Sequence, residues 1–255
     1  MHSLQNKKAL ITGGTSGIGL AVAKNYAANG ASVIITGRRD SGEEIAESIG
    51  ASFLHCDITD ESAVESMFKS AEKQLGSLDI VVINAGTADD EGSIEEFDST
   101  AMKNLMDINF NGVFYCLKYA PAHTVDGGSI ITTGSAAGSG IAHAGAGVYA
   151  ASKAGVAYLT RTSAIENAPR SIRVNSVCPA MIAGTGMMTE DNNSDEAQFL
   201  STLTAFGRMG SQDEVVGIYN FLASDGATFI TGQEIKVDGG LTAGLGLPIF
   251  GAIAG

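Results

Sequence analysis

A doubly wound α/β sheet of about seven parallel strands, with helices on both faces, is the fold this sequence predicts. Short apolar, β-branched runs alternate with helix-period segments from the first residues onward. The runs lack polar alternation, as strands covered on both faces do. No Pro- or Ser-rich linker, charge block or repeat interrupts the alternation. The chain of 255 residues is therefore read as one domain, 1–255, large enough to bury roughly 70–75% of its unfolded surface.

The strands are placed at 8–12 (KALIT), 31–36, 52–56, 79–84, 129–133, 172–177 and 234–237. Helices are expected over 17–29, 41–49, 60–75, 98–120, 149–167 and 213–223. Asp60 and Ser211 precede helical runs and supply oxygens for their first amides. Gly30 and Gly50 stand where helices should stop. The least regular stretch, 181–211, is rich in Met, Thr, Asn and Gly and is expected to form a flap over a ligand site. The tail LTAGLGLPIFGAIAG is apolar for a terminus, so docking on its own body or on a neighbouring subunit is expected.

A net charge of −13 repels phosphate backbones, which argues against nucleic acid as a partner. No apolar run of about 18 residues crosses a membrane. The start, MHSLQNKKALITGG, lacks the apolar core of a signal peptide, so a cytoplasmic location is expected. Cys56, Cys116 and Cys178 are widely spaced in apolar contexts. They read as buried free thiols, with no metal-binding spacing.

The first strand runs directly into TGGTSGIG, Thr12 to Gly19. Gly13, Gly17 and Gly19 permit a tight turn, close approach of backbone to a pyrophosphate, and close helix–strand packing. The amides that open the following helix favour an anion. The spacing is GxxxGxG, and its place after strand one is what gives it meaning.

From this turn onward the chain resembles the short-chain dehydrogenase/reductase family, in its compact single-domain branch, over nearly its whole length. Carrying the resemblance are TGGTSGIG, CDITD, INAG (Ile83–Gly86), DINFNG, TTGSAAG, YAASK, RVNSVCPA and FLASDGATFITGQEIKVDGG, in that order. It implies a Rossmann-type fold and a nicotinamide dinucleotide. The implied cofactor contacts are Gly13, Thr15, Ser16, Gly17, Ile18 and Gly19 in the turn, Arg38, Asp57 and Ile58, and Asn84, Ala85 and Gly86. Tyr149, Lys153, Pro179 and Ile182 complete them. The implied catalytic set is Asn109, Ser135, Tyr149 and Lys153. Ser139 and Asn111 compete for two of these roles; the separation from Tyr149 seen in the family and the Asn-x-x-Gly run favour Ser135 and Asn109.

The chemistry of that set follows from its residue types. A phenol titrating near ~10 is a poor acid at neutral pH. Lys153 lies one helical turn after Tyr149, so its cation is expected to lower the tyrosine's pKa and suit it to general acid–base work. Ala150, Ala151 and Ala154 are expected to let this helix pack closely. Ser135, at a strand's carboxyl end, is placed to hold a carbonyl oxygen against the tyrosine. Asn109 resembles the residue that anchors a water beside the lysine.

After the second strand the chain reads VIITGRRD, with Gly37 where an acidic residue would favour NAD and Arg38 next. A guanidinium suits a 2′-phosphate, so NADP is expected and NAD is the alternative. The expected reaction is hydride transfer between nicotinamide and a small, fairly apolar ketone or secondary alcohol. Candidate pocket residues are Ala136, Ile141, His143, Ala180, Met181, Met187 and Met188. A 3-oxoacyl (carrier protein or CoA) reductase is the alternative substrate reading. The absence of Lys or Arg between Lys118 and Ser135 argues against a carrier protein. A catalytically idle dinucleotide sensor is a rival of a different class, and a dimer or tetramer is expected. Ala180 stands where the family has glycine and Thr185 falls about one place late, which leaves the nicotinamide-amide contacts of that loop open.

Overall fold

The computed structural model describes residues 2–88, 92–187 and 194–244. Among them seven strands form one parallel sheet in the order β3-β2-β1-β4-β5-β6-β7. These are β1 (Lys8–Thr12), β2 (Ser32–Gly37), β3 (Ser52–His55), β4 (Leu78–Ile83), β5 (Thr124–Thr133), β6 (Arg173–Pro179) and β7 (Glu234–Val237). The helices are α1 (Gly17–Ala28), α2 (Gly42–Ser48), α3 (Glu61–Leu75), α4 (Ser99–Met106), α5 (Gly112–His123), α6 (Ala136–Ser139), α7 (Gly147–Asn167), α8 (Asp195–Leu203) and α9 (Gln212–Ala223).

Successive side chains of a strand face opposite ways, so a strand buried on both faces feeds two cores. Ala9 and Ile11 of β1 pack into one cluster with Val22, Tyr26, Val216 and Tyr219. Leu10 enters the other with Val64, Phe68, Val113 and Val156. β2 and β4 divide in the same way: Ile35 and Val82 on one side, Ile34 and Val81 on the other. This is why the strand sequences read as unbroken apolar runs.

The local signals act as expected. Asp60 accepts from the amides of Ser62 and Ala63, and Ser211 forms a capping box with Glu214. Gly30 and Gly50 take left-handed φ of 92° and 69° where α1 and α2 end. Two of the expected elements differ in extent from the sequence reading. The helix expected over 98–120 is divided by a π-helical turn, Asp107–Asn111, between α4 and α5. A widened turn rotates the residues after it without ending the helix, so periodicity alone misses it. The strand expected at 129–133 begins at Thr124, and its pairing with β4 shifts register between Leu78 and Ile80.

The chain order reverses direction at β1 and β4, which opens a crevice beyond their carboxyl ends. Thr12 Oγ1 accepts from the amides of Asn84 and Ala85 there and ties the two strand ends together. The 181–211 stretch is not wholly irregular: α8 lies within it, capped by Ser194, whose side chain accepts from the Ala197 amide. The apolar tail beyond Gly244 and Met188 lie outside the described residues.

Candidate active site

A cavity of ≈800 Å³ opens at the crevice. The glycine turn supplies one wall through Gly13, Thr15, Ser16, Gly17 and Ile18. Gly13 has φ 65°, and a methyl group there would come within 2.8 Å of Ala85 Cα, so glycine is required on both counts. Gly19 does not line the cavity. A methyl on it would stand 2.3 Å from the Gly13 carbonyl oxygen, so it is a packing residue that holds α1 against the turn.

The opening of α1 suits an anion. Ser16, its N-terminal flanking residue, is extended and makes no side-chain cap, and no acidic residue lies in the first turn. Its first amides are thus left for a phosphate group to satisfy. Arg38, Asp57 and Ile58 line the same end, as do Asn84, Ala85 and Gly86. Arg38 Nη1 lies 3.7 Å from the Asp57 carboxylate. Asp57 also accepts from the Thr59 amide at 3.0 Å and hydroxyl at 2.9 Å, which fixes the carboxylate. These residues fit a dinucleotide with its phosphates on the turn.

Ser135, Tyr149 and Lys153 line the middle of the cavity together. Ser135 follows β5, and its Oγ accepts from the Ala137 amide at 3.2 Å. One oxygen lone pair is thereby occupied, leaving the hydroxyl hydrogen to be donated. Tyr149 and Lys153 lie on one face of α7. Lys153, 3% exposed, donates to the Thr133 carbonyl at 3.1 Å. A methyl placed on Gly86 would lie 3.1 Å from Asn109 Oδ1 and 3.2 Å from Lys153 Nζ, so both groups converge on that glycine. Asn109 itself is fully buried in the π-helical turn and does not line the cavity. Its side chain exchanges two hydrogen bonds with the backbone of Thr87, each 2.8 Å.

The electrostatics correct one expectation. Burial raises the Tyr149 phenol above its ordinary value, and a side-chain hydrogen bond with Ser135 works against that rise. Burial lowers Lys153 from 10.5 to about 8. Spacing predicts that the lysine lowers the tyrosine; here burial outweighs any such effect, and the lysine is aimed at a carbonyl dipole and is itself pushed toward neutrality. The packing role given to the alanines of α7 is also corrected. Ala151 and Ala154 are exposed; Gly155 makes the close contact, since a methyl there would fall 2.6 Å from the Phe110 ring.

Of the candidate pocket residues, Ala136, Ile141, His143, Ala180, Met181 and Met187 line the cavity. Pro179, Ile182 and Thr185 also line the cavity, and the Thr185 hydroxyl donates to the Ile182 carbonyl at 3.2 Å. The sequence reading missed Arg39 beside Arg38, and Phe199, Leu200 and Leu203 of α8. A signal for α8 was present in Ser194 before DEAQFLSTL. The three cysteines are buried and unpaired, and burial pushes the Cys56 thiol up to about 11. No cluster of metal-ligating side chains occurs among the described residues.

Residues 13–242 match the family model described as enoyl-(acyl carrier protein) reductase. The cis-4-hydroxycyclohexanecarboxylate dehydrogenase of Sinomonas cyclohexanicum is 34% identical, over 95% of this chain and 99% of that protein. The NADP-dependent (R)-specific alcohol dehydrogenase of Lentilactobacillus kefiri is 35% identical, over 94% of this chain and 98% of that one. The structure of a short-chain type dehydrogenase/reductase from Mycobacterium ulcerans superposes with a TM-score of 0.90 at 34% identity, covering 96% of this chain and 93% of that one. The order of the strands and the full-length alignments agree: this chain belongs to the short-chain dehydrogenase/reductase family of NAD(P)-dependent oxidoreductases.

Proposed function

We propose that the protein moves hydride between NADP(H) and a small, uncharged ketone or secondary alcohol, with Tyr149 as the general acid–base. The observation that carries this reading is the meeting of Ser135, Tyr149 and Lys153 in the cavity that the glycine turn also lines. The bound nicotinamide supplies or accepts the hydride. Ser135 donates to the reacting oxygen while its acceptor side is held by the Ala137 amide. Tyr149 gives its proton to that oxygen in reduction and takes it back in oxidation. Lys153 holds the ribose hydroxyls from its position over Thr133. Asn109 fixes the Thr87 backbone beside the lysine.

Charge supports the substrate class. Arg38, Arg39, Asp57 and Lys153 are the charged residues among those described that line the cavity. None lies among Ile141, Ala180, Met181, Phe199, Leu200 and Leu203, where His143 is the titratable group. An anionic substrate would lose its hydration there without gaining a counter-charge. The same argument, with the net charge of −13, weighs against an acidic carrier protein. Arg38 and Arg39 at the adenosine end support NADP over NAD, and the relative whose name specifies NADP agrees.

Phe114, Tyr158 and Ile165, exposed by 44%, 70% and 76%, lie on α5 and α7. With the exposed Ala151 and Ala154 they form an apolar face that supports a homo-oligomer. Among the described residues no helix is long and apolar enough to cross a membrane. Unpaired thiols support a reducing, cytoplasmic setting. The test is a spectrophotometric screen of NADPH and NADH over neutral ketones, their alcohols, keto acids and 3-oxoacyl thioesters. Turnover confined to keto acids or thioesters would remove the substrate reading.

A further inference from the structure

Behind the catalytic wall a file of buried polar side chains joins α9 to the glycine turn. Tyr219 is fully buried in the core that α9 forms with α1 and β5. Its phenol oxygen lies 2.6 Å from Thr133 Oγ1. Thr133 Oγ1 is also 3.1 Å from Asn84 Oδ1, to which it donates. The amide nitrogen of Asn84 in turn donates to the Gly13 carbonyl at 3.2 Å. A threonine hydroxyl carries one hydrogen, and here it goes to Asn84. The hydrogen between Thr133 and Tyr219 therefore belongs to the tyrosine.

All the donors then point one way, from Tyr219 to Thr133, from Thr133 to Asn84, and from Asn84 to Gly13. Such a file fixes the rotamer of Thr133 and the orientation of the Asn84 amide, because reversing that amide would set two acceptors against each other. Burial raises the Tyr219 phenol, so it remains a neutral donor throughout the working range of pH. The same tyrosine holds α1 a second time: Tyr26 OH donates to its main-chain carbonyl at 2.9 Å. The helix that leaves the turn is thus tied to α9 near both of its ends.

We propose that Tyr219, which does not line the cavity, is a positioning residue for the dinucleotide turn. It acts through Thr133 and Asn84 on the Gly13 carbonyl. The inference rests on the dinucleotide reading above and adds to it a residue remote from the ligand. Removing the phenol hydroxyl takes away the donor that pins the Thr133 rotamer, so the Thr133–Asn84 bond and the turn it positions are held less firmly; the binding of cofactor weakens while the Ser135–Tyr149 geometry stays.

Tyr219→Phe tests this on the full-length protein. Calorimetric titration with NADPH should give a Kd raised about three- to tenfold, the scale of one buried hydrogen bond. kcat at saturating NADPH should stay within about twofold. In a Thr133→Val background the added Tyr219→Phe change should have no further effect on Kd. A purely structural role predicts a lower Tm with unchanged Kd, and that result overturns the inference. Equal effects of Tyr219→Phe in both backgrounds overturn it too. A wild-type chain that binds neither NADPH nor NADH overturns the cofactor reading and this inference with it. A binding wild type beside an equally tight Tyr219→Phe variant overturns this inference alone.

Discussion

The Lys153 ammonium donates to the Thr133 carbonyl at 3.1 Å while standing 5.7 Å from the centre of the Tyr149 ring. Its charge meets a dipole and an aromatic ring, and burial lowers its pKa from 10.5 to about 8. A lysine lowered in the folded state costs stability in its charged form. The cost is fully present below pH ~8 and is relieved as pH rises toward the unfolded value of 10.5, because there the unfolded chain binds the extra proton. Lys153→Met should therefore stabilise the dinucleotide-free protein at pH 7, by at most about 3 kcal/mol, while abolishing turnover. Thermal unfolding between pH 6.5 and about 9.5 checks this: the gain should shrink as pH rises. A variant less stable than wild type at pH 7 contradicts the claim.

Tyr149→Phe removes the proton and leaves the ring that packs in the cavity wall. kcat should fall about 10²–10⁴-fold, the usual contribution of a positioned acid or base. NADPH affinity should change little. Because burial raises the phenol and Ser135 pulls it back, Ser135→Ala should move the pH profile of oxidation further to the alkaline side. A profile that does not move would separate Ser135 from the tyrosine's ionisation.

The strands and the glycine turn were legible because both are local signals. Buried strands read as apolar runs, and GxxxGxG after β1 has few other uses. Ser135, Tyr149 and Lys153 were legible as residue types, and the cavity brings them together. The tyrosine's electrostatics were not legible. Spacing of one helical turn tells that Lys153 shares a face with Tyr149, but where the ammonium points depends on the Thr133 carbonyl of another strand. The π-helical turn that buries Asn109 shifts periodicity by one residue, below what a pattern detects. The resemblance implies Gly19 as a cofactor contact, and spacing alone does not distinguish a glycine facing a ligand from one facing a carbonyl, as Gly19 does here. Tyr219 gave no signal at all, since its partner Thr133 is 86 residues away.

That distinction between glycines has a measurable form. Gly19→Ala places a methyl 2.3 Å from the Gly13 carbonyl and 2.5 Å from Asn84 Nδ2. Neither can withdraw without shifting the turn, so a cost of about 1–3 kcal/mol is expected, with NADPH affinity lowered more than tenfold. Gly50→Ala is the contrast. It has a left-handed φ of 69° but nothing within 4 Å, so it should cost about 1–2 kcal/mol and leave cofactor affinity intact. Equal affinity losses in both variants would show that general destabilisation, not the turn, is being measured.

Cofactor choice turns on Arg38 and its neighbour. The Arg38–Asp57 pair, 3.7 Å apart with Arg38 63% exposed, contributes at most about 1 kcal/mol. Arg38 can therefore leave Asp57 for a 2′-phosphate at little cost, and Arg39 lines the same end of the cavity. A contact so open to solvent is screened, so Arg38→Ala should raise KM for NADPH by about tenfold and no more. KM for NADH should stay within about twofold, because the ribose hydroxyl offers the guanidinium no charge. The Arg38→Ala/Arg39→Ala double variant should lose most of the remaining discrimination, and the NADPH loss should diminish as salt is raised. Equal losses for NADPH and NADH would mean that the arginines hold the adenine or the turn, not a phosphate, and the NADP reading would fall.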